Sequence, residues 1–239
     1  MPRHLVLFAR EPCREAREKG FAGPAAAALF AAFAEGWGAA ARAVGACLVV
    51  ATPSEDRNAW SLRLGDDCRW IAQRGVCFGE RLENAAREAA RLGGHAILVG
   101  GDVPPSPQAL AAAFAALEHG AAAVLAPAQD GGISLLALET KDLDLLRSIA
   151  PRRRNVFRML HARLLSRCRR VEVISPIQDI DGRASLRRLL AGLTPGSTLF
   201  VLTRTALSRK PLAPILEPVL RPSSLRIGPA AMRGPPAAA

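Results

Sequence analysis

Short apolar runs rich in Val, Leu and Ile alternate along this chain with longer stretches of helical spacing, and this alternation limits the folds open to it. Strand candidates fall at residues 4–8, 46–51, 69–72, 96–99, 121–126, 133–138 and 171–175. Helical candidates fall at 24–44, 79–92, 107–117, 142–149, 155–167 and 183–193. Strands separated by ten or more helical residues imply βαβ units and a mainly parallel sheet. The punctuation agrees. Pro24 suits the first turn of its helix, Ser106 is placed to cap the next helix but one, and Gly93-Gly94 ends the amphipathic helix before it. The expected fold class is α/β, three-layered, with a mainly parallel sheet.

At 239 residues the chain can bury one sizeable core with length to spare. After about residue 192 proline becomes frequent and acids nearly vanish. The expected division is one domain over residues 1–192 and a basic, Pro-rich, mostly disordered extension over 193–239, in which 197–203 can add an edge strand. Aromatics make up 5% and tyrosine is absent, so stacking platforms are scarce and a single-stranded nucleic-acid binder is disfavoured. The net charge of +11 favours anionic ligands, although an arginine-rich surface accounts for it equally well. Cys13, Cys47, Cys68, Cys77 and Cys168 form no C-x-x-C pair, which argues against a zinc knuckle and for reduced thiols. The apolar run at 5–8 is too short for a signal peptide, and Glu118, His119 and Gly120 break the Ala-rich run at 109–128, so no membrane span is expected. A cytoplasmic protein is the expectation.

Chemistry concentrates where strands end. Ala96-Ile-Leu-Val-Gly-Gly-Asp-Val-Pro104 delivers Asp102 to a strand's carboxyl end, where open α/β sheets bind ligands. Asp130-Gly131-Gly132 presents a second acid beside glycines that permit close backbone approach; a plain hairpin turn is the alternative. Two such carboxylates suit a hard divalent cation, Mg²⁺ or Mn²⁺, which would hold a phosphorylated ligand. Gly79, Glu80 and Arg81 open a helix whose N-terminus can attract phosphate, though Glu80 equally suits the helix dipole. Arg10 begins a loop in which basic residues could grip phosphate, but the interleaved Glu11, Glu15 and Glu18 favour an ordinary ion-paired helix surface. Pro151-Arg-Arg-Arg154 and Arg158 form the densest basic cluster, either a solvated face or a surface for an acidic partner. Of Asp179-Ile-Asp181, one acid could reach a metal while the other caps the following helix.

In order, Phe8-Ala-Arg-Glu-Pro12, Gly79-Glu-Arg-Leu82, Gly100-Gly-Asp-Val-Pro104, Pro127-Ala-Gln-Asp-Gly-Gly132 and Asp179-Ile-Asp181 resemble the motifs of a bacterial glycosyltransferase-A-like family of unknown function, the radical-SAM/selenodomain-associated transferase type. The resemblance spans roughly residues 4–192. It implies a Rossmann-like nucleotide-diphospho-sugar transferase fold and metal-dependent transfer from a nucleotide-sugar to an acceptor. It also implies Asp102 as metal ligand, Asp181 or Asp179 completing the metal shell, and Asp130 as the catalytic residue facing donor or acceptor. Arg10, Gly79, Glu80, Arg81, Gly101, Gly131 and Gly132 would line the substrate. Nucleotidyl transfer to a small molecule is the alternative reaction. A third reading, in which the chain only binds a partner, comes from its departures: the family's Pro-Gly-x-x-Lys-Thr-Arg-Leu is replaced here by Arg14-Glu-Ala-Arg-Glu-Lys-Gly-Phe21.

Overall fold

The computed structural model describes residues 1–65, 68–150, 154–167 and 169–208. Residues 151–153 of the arginine cluster, Cys168 and residues 209–239 of the extension lie outside the described residues.

In chain order the strands are β1 (Arg3–Phe8), β2 (Cys47–Thr52), β3 (Arg69–Ala72), β4 (His95–Gly100), β5 (Ala123–Pro127), β6 (Ile133–Leu138) and β7 (Val171–Val173). The helices are α1 (Pro12–Glu18), α2 (Pro24–Ala43), α3 (Arg57–Leu64), α4 (Phe78–Ala90), α5 (Pro107–Glu118), α6 (Val156–Ser166), α7 (Arg183–Gly192) and α8 (Thr198–Ser208). One seven-stranded sheet runs β3-β2-β1-β4-β6-β5-β7. Its pairs are parallel except those of β6, which lies antiparallel to β4 and to β5. The α/β class and mainly parallel sheet expected from the alternation are therefore present.

Period-2 alternation sends each strand's side chains to two cores. Leu5, Leu7, Val50, Ile97, Val99 and Leu135 pack with Trp37 and Phe114 of α2 and α5. Val6, Val49, Leu98, Leu125 and Leu136 pack with Leu82 of α4 and Leu160 and Leu164 of α6. Ser106 caps α5 by accepting from the Ala109 amide at 3.3 Å. Where a helix was expected at 142–149, Thr140–Ser148 form a 3₁₀ stretch.

Residues 197–203 do not form a strand. Residues 198–203 belong instead to α8, which packs on α2. The apolar run Leu199-Phe200-Val201-Leu202 reads locally as a strand, but Leu199, Leu202, Thr203, Ala206 and Leu207 share one helical face, and that face covers Leu29, Phe30 and Phe33 of α2. Among the described residues no helix is long and apolar enough to cross a membrane.

Candidate functional site

Strand order reverses between β1 and β4, which places a crevice at their carboxyl ends. The turn after β4 is firmly seated: the Gly101 amide donates to the Phe8 carbonyl at 3.1 Å, and Trp37 Nε1 donates to the Val103 carbonyl at 2.8 Å. Asp102 is thereby fixed at the crevice.

Two further segments converge there. β5 and β6 are joined by a hairpin turn carrying Asp130, whose Oδ1 accepts from the Gly132 amide at 2.7 Å. Gly131 has a positive φ of 91° and lies against the Arg154 carbonyl, so a side chain fits neither its backbone nor its space. The hairpin alternative and a site role thus coexist in one turn. The segment before α7 is pinned by fully buried Ile180, whose amide donates to the Asp102 carbonyl at 3.0 Å. Asp179 and Asp181 flank it. Neither caps α7 as expected: Ser185 Oγ reaches back and accepts from the Asp181 and Gly182 amides at 3.0 and 3.2 Å. Both aspartates remain turned to the crevice's chemistry. One carboxylate oxygen from each of Asp130, Asp179 and Asp181 lies within 4.8 Å of the others.

The loop after β1 also enters the site, against the expectation of a simple ion-paired surface. Part of it is such a surface: the Glu11 carboxylate caps α1, Arg14 pairs with Glu55 and Asp56, and Arg10 lies 3.7 Å from Glu18. On the inner side, however, Glu15 is buried and Lys19, just past α1, sends its Nζ to Asp102 Oδ2 at 2.5 Å and Asp181 Oδ1 at 2.8 Å. The sequence assigns this lysine no role. Its partners lie 83 and 162 residues away, so no local pattern announces it.

The electrostatics follow from crowding. Burial first, and then the Asp102 charge, push the Glu15 carboxyl up to about 7. Burial, followed by Asp181, Asp102 and Asp130, pushes Asp179 up to about 7. Burial opposes the charge on Lys19, but Asp102, Glu15 and Asp181 outweigh it and hold the ammonium well above its usual range.

Three convergent carboxylates are the hard oxygen donors that Mg²⁺ and Mn²⁺ prefer, so Asp130, Asp179 and Asp181 fit a divalent cation. Asp102, expected to share a cation with Asp181, does meet Asp181 at one centre, but that centre is the Lys19 ammonium.

The remaining candidates divide. Gly79 is buried against the backbone of Arg147 and Ile149, a packing requirement between α4 and the 3₁₀ stretch. Glu80 accepts from the Val76 amide at 2.9 Å and orders the loop that opens α4; Arg81 is half-buried beside it. Gln73 ties that loop to the ends of β1 and β2 through the Ala9 and Ala51 carbonyls. The arginines after α6 are largely committed within the chain. Arg167 and Arg169 pair with buried Asp142, Arg163 donates to Ser148, and Arg170 donates to the His119 carbonyl.

A mainly parallel sheet with one antiparallel strand is the Rossmann-like α/β arrangement that the motifs implied, and solved structures described as nucleotide-diphospho-sugar and nucleotidyl transferases share that fold. Residues 38–151 match the model of a family described as an uncharacterized protein conserved in bacteria (DUF2064). A protein from Desulfovibrio desulfuricans G20 described as a nucleotide-diphospho-sugar transferase superposes with a TM-score of 0.74 at 21% identity, over 86% of this chain and 95% of that one. The inositol-1-phosphate CTP transferase from T. maritima gives 0.53 at 13% identity, over 86% and 96%. Rv0371c from Mycobacterium tuberculosis H37Rv, in complex with manganese, gives 0.50 at 13% identity, over 81% and 100%. A search of curated proteins found no match.

Proposed function

We propose that this chain is a transferase that takes a sugar from a nucleotide-diphosphate donor with the help of Mg²⁺ or Mn²⁺. The observation that carries the reading is the convergence of Asp102, Asp130, Asp179 and Asp181 at the crevice where β1 and β4 diverge. The manganese complex of a protein of the same fold supports the choice of cation. Asp130, Asp179 and Asp181 would hold the ion, which when bound supplies positive charge against the departing diphosphate. Asp130 stands on an exposed turn, able to orient the donor sugar or to accept a proton from an acceptor hydroxyl. Gly101, Gly131 and Gly132 would keep the acid-bearing turns close against Ala9, Arg154 and Asp130, and Arg10, Glu80 and Arg81 would flank the nucleotide side.

Nucleotidyl transfer is a second reading, favoured by the likeness to the T. maritima CTP transferase. Recognition of an acidic partner through the arginine-rich segment is the weaker third, because Arg163, Arg167, Arg169 and Arg170 already have partners within the chain.

The test is thermal stabilisation by a panel of nucleotides and nucleotide-sugars with and without Mn²⁺. A ligand at a hundredfold excess over its Kd adds about 2.7 kcal/mol of stability. A Mn²⁺-dependent rise with one donor supports the transferase reading, and release of nucleoside diphosphate rather than pyrophosphate separates sugar transfer from nucleotidyl transfer. No rise with any nucleotide overturns both.

A further inference from the structure

We infer that Lys19 is a built-in counter-cation that keeps divalent ions off the acidic site until an anionic ligand draws it away, an inference that rests on the reading of this site as a cation site.

Three observations carry it. The Lys19 ammonium bridges Asp102 and Asp181 at 2.5 and 2.8 Å, joining two carboxylates from distant segments as a bound cation would. Its side chain is only 17% exposed, so it is enclosed by the site and does not reach across it from solvent. Asp181 belongs both to this bridge and to the Asp130–Asp179–Asp181 group. An ion on that group would face the ammonium across one shared carboxylate, and like charges so close in a partly buried site repel strongly. Lysine and ion therefore compete for Asp181.

The residue type fits the task. The chain holds 29 arginines and only three lysines, Lys19, Lys141 and Lys210. Elsewhere it pairs buried carboxylates with arginine, whose planar fork locks a fixed geometry. Here it uses a compact charge on a flexible stem, which can sit where a metal would and can also leave. A diphosphate entering the crevice offers Lys19 a competing anion. Its departure would free Asp102 and Asp181 together, so cation and diphosphate binding would reinforce each other through this one side chain.

The experiment titrates Mn²⁺ alone into the full chain, reading free Mn²⁺ by electron paramagnetic resonance, for wild type, K19Q and K19R. Removing the ammonium in K19Q should tighten Mn²⁺ binding by about tenfold or more, while K19R, which keeps the charge, should stay close to wild type. Equal affinity in wild type and K19Q overturns the inference and leaves the cation site standing. No Mn²⁺ binding by any of the three overturns the inference and the cation site together, with nucleotide binding still judged by the thermal panel. A second measurement needs no variant. With only three lysines, acetylation of Lys19 can be followed by mass spectrometry against exposed Lys141. Saturating Mn²⁺ should raise the Lys19 rate severalfold relative to Lys141, and an unchanged ratio overturns the inference.

Discussion

Two groups of acids in this molecule are balanced in opposite ways. Around the 3₁₀ stretch two buried carboxylates each meet two arginines: Glu83 sits between Arg87 and Arg147 at 2.8 and 2.9 Å, and Asp142 between Arg167 and Arg169 at 3.0 and 2.9 Å. These pairs tie the 3₁₀ stretch to α4 and to the chain around α6. At the crevice Glu15, Asp102 and Asp181 surround the single ammonium of Lys19, with Asp179 and Asp130 beside Asp181. Around these two structural acids, two guanidinium groups face each carboxylate. Where the sheet opens, negative charge is in excess, and two carboxyls hold their protons far above the usual range. A surplus of that sign does not help the native state and makes sense as a place for something cationic to bind.

The largest effect should come from upsetting the balanced group. Glu83→Ala should cost about 2–3 kcal/mol in urea denaturation, short of the ~3–5 kcal/mol typical of a broken buried pair because Arg87 and Arg147 keep access to water. A cost near zero would mean the arginine excess is not structural, and the contrast would fail. Asp181→Asn removes one charge from the surplus instead. Its stability should stay within about 1 kcal/mol of wild type, while Mn²⁺ binding weakens; a folding defect as large as that of Glu83→Ala would place Asp181 among the structural acids. Glu15 sharpens the contrast through pH. Its carboxyl titrates near 7 when folded and at about 4.3 when unfolded. The native state then binds the extra proton, so this stabilising contribution is full below about 4.3 and is lost as pH rises through 7. Glu15→Gln should therefore gain melting temperature on wild type between pH 5 and 8, and a constant difference would contradict the raised value. The smallest effect belongs to the exposed Arg91–Glu88 pair, where Arg91→Ala should shift stability by no more than about 0.5 kcal/mol.

What could be read in the sequence was local. Strand and helix positions followed from periodicity, and Asp102, Asp130 and Asp181 stood out because each is an acid beside glycine or at a strand end. What escaped was set at long range. The run at 197–202 has strand-like composition, and only the exposed flank of α2, with Leu29, Phe30 and Phe33, makes a helix the better cover. One acid of the 179–181 pair was expected to cap α7, because nothing nearby revealed that Ser185 would do that work. Lys19 carried no local signal because its two partners lie in other thirds of the chain.

That same reach has a consequence for biosynthesis. Synthesis runs from the amino terminus, and Lys19, Asp102 and Asp181 emerge from the ribosome in three widely separated instalments. A nascent chain that has formed β1 and β4 already owns Lys19 and Asp102 and can close them on each other. The acids at 179 and 181 are still to come, and with them the hydrogen bond from Ile180 that clasps the crevice. On the proposed reading, competence to hold a cation thus arrives late, after most of the sheet exists, and a truncated or stalled chain would be left with its lysine paired and its acidic group unfinished.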